Sequence, residues 1–347
     1  MPKTRVLIVD DSPTMRRLLR AVLEPDPRLE IVAEASSASA ARDAVNTYRP
    51  DVMTLDVEMP NMSGLEFLER LMRHRPMPVV MVSTLTRKGS RAAIEALSLG
   101  AVECVEKPKA GTSDVFNKLA DTLVMAGAAQ VRQLPPRKTN QDRQTTLPAF
   151  AGSDRIALIG GSTGAVEAIE RILTSFPDNC PPTLITQHMP APFLASFAAR
   201  LEPLVAPKVR LAKDGDELMP GQVLIAPGGE FHLELDSSGL RTRIALVKAP
   251  EESGHRPSVD RLFRSAVPIA HRVVATILTG MGRDGAAGLS ELKRAGAATI
   301  GQSEESCVVF GMPRVAGEMG GVEKWADLNG IAREILSRCA SRKEGAR

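Results

Sequence analysis

Val6-Leu7-Ile8-Val9-Asp10-Asp11-Ser12-Pro13 holds a strand, a polar edge and a helix start in one short stretch. The apolar residues are unbroken, as in a strand buried on both faces of a parallel sheet. Ser12 is placed to cap a helix. Pro13 suits the first helical position, because its φ is already helical and the amide it lacks would be unpaired there. The same rhythm recurs at Ile31-Val32-Ala33, Val52-Met53-Thr54-Leu55, Val79-Val80-Met81-Val82 and Val102-Glu103-Cys104-Val105, with amphipathic stretches between. Residues 1–128 therefore read as an α/β domain with a doubly wound, five-stranded parallel sheet.

Over residues 129–153 the rhythm gives way to polar, proline-bearing sequence such as Leu134-Pro135-Pro136-Arg137-Lys138, a linker. Residues 154–347 resume it with Ile156-Ala157-Leu158-Ile159, Thr183-Leu184-Ile185-Thr186 and Val273-Val274-Ala275-Thr276-Ile277-Leu278, a second α/β domain with a mainly parallel sheet. Short runs between Val209 and Val247, broken by Gly and by Asp236-Ser237-Ser238-Gly239, predict antiparallel strands or hairpins there. A length of 347 residues agrees with two domains. The formal net charge of +3, with one Trp and one Tyr, disfavours nucleic acid as a partner. The cysteines Cys104, Cys180, Cys307 and Cys339 have neither zinc nor disulfide spacing. The first apolar run is too short for a signal-peptide core or a membrane span, so a cytoplasmic protein without membrane insertion is expected.

Ligands of open α/β sheets sit at the carboxyl ends of the strands. Asp10, Asp11, Asp56, Ser83 and Lys107 all fall at such ends. Crowded carboxylates repel one another unless a cation neutralises them, and hard oxygen donors suit Mg²⁺. Asp56 would attack a phosphoryl group, Lys107 would offset its charge, and Ser83 would hydrogen-bond it. Any one of these residues is ordinary polar turn chemistry; their joint placement is not. Residues 3–128 closely resemble the flavodoxin-like receiver domain of two-component response regulators. The resemblance implies Asp10, Asp11, Asp56 and the Glu58 backbone carbonyl as Mg²⁺ ligands, Asp56 as the phosphorylated residue, and Ser83 and Lys107 as switch and phosphoryl contacts. It also implies a histidine kinase as phosphoryl donor and a cis Lys107-Pro108 bond. Cys104 stands where such receivers often carry a switching aromatic.

Gly160-Gly161-Ser162-Thr163-Gly164 lies between a strand and the helical pattern that begins at Ala165. Its glycines permit a tight turn exposing a hydroxyl, although similar turns also bind phosphates or dinucleotides. A dinucleotide reading would need an acidic ribose anchor about 20 residues on, and Asp178 near that spacing sits in a turn. A nucleophilic serine needs a base and an orienting acid. His188 ends the next strand, and Asp284 lies just past Val273–Thr279, so all three would emerge at one sheet edge; His232, His255 and His271 are the rival histidines. No histidine follows Asp284, which excludes the serine, acid, histidine order of α/β-hydrolases.

Residues 154–340 resemble the catalytic domain of the bacterial chemotaxis protein-glutamate methylesterase. The matching stretches are Ile159–Gly164, Gln187-His188-Met189-Pro190, Ala226-Pro227-Gly228-Gly229, His255-Arg256-Pro257-Ser258-Val259-Asp260, Thr279–Gly285 and Phe310-Gly311-Met312-Pro313. The resemblance implies Ser162 as nucleophile, His188 as base, Asp284 as orienter and the Met281 amide as an oxyanion donor. It needs no cofactor for the ester chemistry. Gly161 replaces a common Ala, a change expected to be neutral. The implied substrate is a glutamyl methyl ester on a chemoreceptor, cleaved to methanol, with glutamine deamidation by the same chemistry. Phosphorylation of the receiver would relieve a lid over the hydrolase. Two alternatives stay open: a phospho-switched adaptor with an inactive serine site, and the same chemistry aimed at a target outside chemotaxis.

Overall fold

The structure, a computed structural model, describes residues 2–83, 87–107, 113–129, 131, 150, 152, 154–239 and 241–340, without the side chains of 83, 87–89 and 113–118. Most of the expected linker, and Pro108 with its peptide bond, lie outside the described residues. The chain divides into two units, Met1–Asp142 and Arg143–Arg347.

The first unit runs β1 (Thr4–Val9), α1 (Pro13–Leu23), β2 (Leu29–Ala35), α2 (Ala38–Tyr48), β3 (Val52–Asp56), α3 (Gly64–His74), β4 (Val79–Ser83), α4 (Arg87–Ser98), β5 (Glu103–Glu106) and α5 (Ser113–Gly127). Its sheet has the order β2-β1-β3-β4-β5, parallel throughout. Every residue of β3 is buried, as a strand covered on both faces requires. The Ser12 hydroxyl accepts from the Met15 amide at 3.4 Å, with Pro13 opening α1. The strand order reverses between β1 and β3, so Asp10 and Asp56 leave the sheet side by side.

The second unit runs β6 (Ile156–Gly161), α6 (Ala165–Thr174), β7 (Thr183–Gln187), α7 (Ala191–Leu201), β8 (Lys208–Leu211), β9 (Gln222–Ile225), β10 (Phe231–Asp236), β11 (Arg243–Lys248), α8 (Val259–Ser265), β12 (Val273–Ile277), α9 (Ala286–Arg294), β13 (Ala298–Gln302), α10 (Met312–Glu318), β14 (Lys324–Ala326) and α11 (Leu328–Cys339). Seven strands form one parallel sheet in the order β14-β13-β12-β6-β7-β9-β8. β10 and β11 pair as an antiparallel hairpin, whose Leu233, Leu235 and Ile244 share a core with Leu262 and Phe263 of α8.

The expectation of antiparallel strands across Val209–Val247 therefore holds for the hairpin and fails for β8 and β9. Between those two strands the chain turns at Lys213–Asp216 and again at Met219–Gln222, and two reversals restore the original direction. Each turn by itself looks like a hairpin connection in the sequence. Among the described residues, no helix is long and apolar enough to cross a membrane.

Candidate active site

Two clusters of chemistry-bearing side chains stand at carboxyl edges, one in each unit. In the first unit the carboxylates of Asp10, Asp11 and Asp56 offer oxygens within 4.8 Å of one another. Asp10 and Asp56 are buried and Asp11 is exposed. Lys107 Nζ donates to Asp56 Oδ2 at 2.7 Å and lies 3.2 Å from Asp10 Oδ2. That second approach is an ion pair without a well-directed hydrogen bond, so Asp10 Oδ2 is a buried oxygen with unused acceptor capacity. Burial pushes the Asp56 carboxyl above its ordinary range, against the pull of Lys107, and the nearby Asp10 charge adds to the rise. The Glu58 amide donates to Asp56 Oδ1 at 3.3 Å, which brings that backbone to the pocket. Ser83 ends β4 opposite Glu106 in register. An all-oxygen donor set with an under-used buried carboxylate oxygen fits a hard divalent cation.

In the second unit the strand order reverses at β6, whose neighbours are β7 and β12. Ser162 follows β6, His188 follows β7, and Asp284 sits in the loop after β12. His188 Nε2 and Asp284 Oδ2 are 2.7 Å apart, with both side chains buried. Nε2 is thus the donor toward the carboxylate, and Nδ1 carries the lone pair. Buried His188 Nδ1 and the Ser162 hydroxyl each have no hydrogen-bond partner among the described residues. Serine and histidine are neighbours through their backbones, since the His188 amide donates to the Gly161 carbonyl at 3.1 Å. The structure therefore joins the histidine and the acid directly and puts the serine on the adjacent strand end, with the hydroxyl not yet bonded to the ring. Hydrogen bonds of this kind often close only around substrate.

The Asp284 carboxylate meets four donors. Its Oδ2 also accepts the Val259 amide at 2.7 Å, and its Oδ1 accepts the Ser258 hydroxyl at 2.8 Å and the Asp260 amide at 3.1 Å. Burial would raise its pKa, but the hydrogen bond from His188, the Val259 amide and the Ser258 hydroxyl hold it below the ordinary range. Asp260 nearby goes the other way. Burial lifts it to about 6, against the pull of the Gly288 amide, and the Asp284 charge adds to the rise.

Sequence reasoning did not single out the residues that hold this arrangement. The Gln187 side chain donates to the Ser162 carbonyl at 2.9 Å, and the Ser162 amide donates to the Thr279 carbonyl at 3.1 Å. The Thr279 hydroxyl donates to the Thr163 carbonyl at 3.0 Å and accepts the Val309 amide at 2.9 Å. Ser258 caps α8 while gripping Asp284. The sole sequence signal was that Gln187, Ser258 and Thr279 lie inside motif stretches. Met281 follows Gly280, at which a Cβ would lie 2.7 Å from the Ser162 Cβ. The Met281 amide has no partner among the described residues.

Gly161 departs from the expected neutrality of an alanine there, because an added Cβ would lie 2.5 Å from the Ala165 Cβ. Gly161→Ala is expected to cost about 1–3 kcal/mol of stability through overpacking, measured by denaturant unfolding. It is also expected to displace the serine turn.

The family model for the CheB methylesterase matches residues 157–335, and that for the response regulator receiver domain matches residues 6–118. A protein-glutamate methylesterase/protein-glutamine glutaminase of Agrobacterium fabrum is 50% identical over 346 residues, covering 99% of this chain and 98% of that protein. One of Rhizobium etli is 51% identical over 342 residues, covering 98% of each. The crystal structure of the Thermotoga maritima CheB methylesterase catalytic domain matches with a TM-score of 0.52 at 37% identity, over 53% of this chain and 98% of that one. With a receiver match over residues 6–118, a methylesterase match over residues 157–335 and relatives about half identical along the whole chain, the chain belongs to the CheB protein-glutamate methylesterase/protein-glutamine glutaminase family.

Proposed function

We propose that the chain hydrolyses glutamyl methyl esters on chemoreceptors in the cytoplasm, with Ser162 as nucleophile, His188 as base and Asp284 as orienter, under control of phosphorylation at Asp56. The observation that carries the ester chemistry is the 2.7 Å bond between His188 Nε2 and Asp284, which leaves Nδ1 as a lone pair next to the strand end bearing Ser162. His188 Nδ1 takes the Ser162 proton as Oγ adds to the ester carbonyl, and the carbonyl π-electron pair moves to its oxygen. The Met281 amide donates to that oxyanion. When the tetrahedral species collapses, the imidazolium returns its proton to the departing methoxide and methanol leaves. Water, deprotonated by the same nitrogen, then frees the glutamate and restores Ser162. Glutamine would follow the same course, with ammonia leaving instead.

In the receiver, Asp10, Asp11, Asp56 and the Glu58 carbonyl would hold Mg²⁺. When bound, that ion offsets negative charge on the transferred phosphoryl group. Asp56 Oδ attacks phosphorus, the donor's imidazole of a histidine kinase leaves, Lys107 neutralises the acyl phosphate, and Ser83 contacts it. The roles rest on a segmentation into a receiver at 1–128, a linker at 129–153 and a hydrolase at 154–347.

Methanol release from methylated receptor, with and without a small phosphoryl donor and Mg²⁺, tests both halves. Asp56→Asn is expected to abolish the increment caused by the donor while leaving basal methanol release unchanged. An Asp56→Asn chain that still responds to the donor would remove Asp56 from the mechanism. A wild-type chain that releases no methanol in either condition would favour the adaptor reading.

A further inference from the structure

One contact on the His188 ring has no part in the scheme above. The imidazole of His255 lies flat against it, with ring centroids 3.7 Å apart and planes 9° from parallel. We infer that His255 is a positioning residue for the catalytic base: its ring is a platform that fixes the rotation of the His188 imidazole about χ2. This rests on the reading of His188 as the base of Ser162.

The platform is built without help from His188. His255 closes a tight turn with Glu252, each amide donating to the other's carbonyl at 3.0 and 3.1 Å. The two residues between them, Ser253 and Gly254, have φ of 54° and 78°, as a two-residue reversal with left-handed centres needs. Next along the chain, the Arg256 side chain donates to the Gly229 carbonyl at 2.6 Å and the Ala249 carbonyl at 2.8 Å. Glu252 is itself ion-paired with Arg264 of α8. The backbone carrying the ring is therefore held on both sides.

Two residues further on, the same stretch reaches Ser258, Val259 and Asp260, the three groups that grip Asp284. One short segment thus touches both members of the base–acid pair, the imidazole by its face and the carboxylate by its oxygens. That division has a geometric purpose. Asp284 holds Nε2, but a single hydrogen bond restrains χ2 only loosely, and a turn about Cβ–Cγ would swing Nδ1 away from Ser162. A parallel ring at van der Waals distance blocks that rotation, because turning would drive the edge of the imidazole into its neighbour. What the site needs from residue 255 is a flat, rigid face.

The test separates flatness from bulk. Full-length chains carrying His255→Phe, His255→Leu and His255→Ala are compared with wild type for the rate at which a fluorophosphonate labels Ser162. In that reaction Oγ bonds phosphorus, fluoride leaves and His188 takes the proton, so no receptor is required. His255→Leu and His255→Ala are expected to label roughly 10–100-fold more slowly, as for a reacting group misplaced by about 1 Å, whereas His255→Phe stays within about threefold of wild type. With methyl ester substrate the same loss is expected in kcat and not in KM. Wild-type labelling rates in His255→Ala would overturn the inference, as would a His255→Phe chain that falls as far as His255→Leu. A wild-type chain that does not label at all would instead remove the nucleophile assignment on which the inference stands.

Discussion

Replacing Ser162 with Ala is expected to lower methanol release from methylated receptor by about 10⁴–10⁶, with the folded state retained. The loss is large because the remaining groups cannot divide the reaction into two steps. His188 can still deprotonate water, and the Met281 amide can still meet an oxyanion, so a residue of catalysis over the uncatalysed rate should survive. The fold should be unaffected, since the Ser162 hydroxyl makes no hydrogen bond among the described residues while its backbone is held by Gln187 and Thr279. Turnover within tenfold of wild type, measured by methanol release on protein whose unfolding midpoint is unchanged, would exclude the acyl-enzyme route.

Asp284→Asn should lower kcat by on the order of 10³–10⁴ and, unlike Ser162→Ala, should also weaken the fold. The carboxylate meets four donors on two oxygens: His188 Nε2 and the Val259 amide on Oδ2, the Ser258 hydroxyl and the Asp260 amide on Oδ1. An amide must turn its NH₂ toward one of those pairs. Facing Ser258 strands the Asp260 amide, whereas facing His188 strands the Val259 amide and forces the ring into the tautomer with Nδ1 protonated, which cannot accept the Ser162 proton. Either way one buried amide is left unpaired, at about 1–3 kcal/mol, and the negative charge that stabilises the imidazolium is gone. The wild-type carboxyl is held below its ordinary value of 3.8. Its contribution to stability is therefore complete above the unfolded pKa and is lost as pH falls through the lower folded one. Denaturant melts from pH 6 down to pH 2 should show this acid limb in the wild type and a shallower one in Asp284→Asn. Equal limbs, or full activity in the variant, would contradict the role.

Both sheets were readable from sequence because parallel strands buried on two faces leave nearly continuous apolar runs, and polar residues at their ends then stand out. Ser162, His188 and Asp284 could be put at one rim on that basis alone. Whether a bond joined them could not, and the 2.7 Å contact between His188 and Asp284 is information only coordinates carry. The same holds for the choice of ring nitrogen, which depends on β12 and β7 flanking β6. The direction of β8 and β9 was misread because a turn reports a reversal, not how many reversals follow. Ser258, Thr279 and Gln187 were invisible as positioning groups because a hydroxyl or amide has no sequence period that betrays its partner. The stack of His255 on His188 was hidden for the same reason: the turn that makes it is local, but the ring it meets is not.

The placement of the serine, the imidazole and the acid on three separate strand ends also has a consequence for how the enzyme comes into being. His188 and its carboxylate partner are 96 residues apart in the chain. During synthesis from the amino end, the nucleophile and base leave the ribosome well before the acid and the strand that delivers it. On the proposed roles, a nascent chain cut short of that strand lacks the orienting acid, whereas every strand of the first sheet has already left the ribosome.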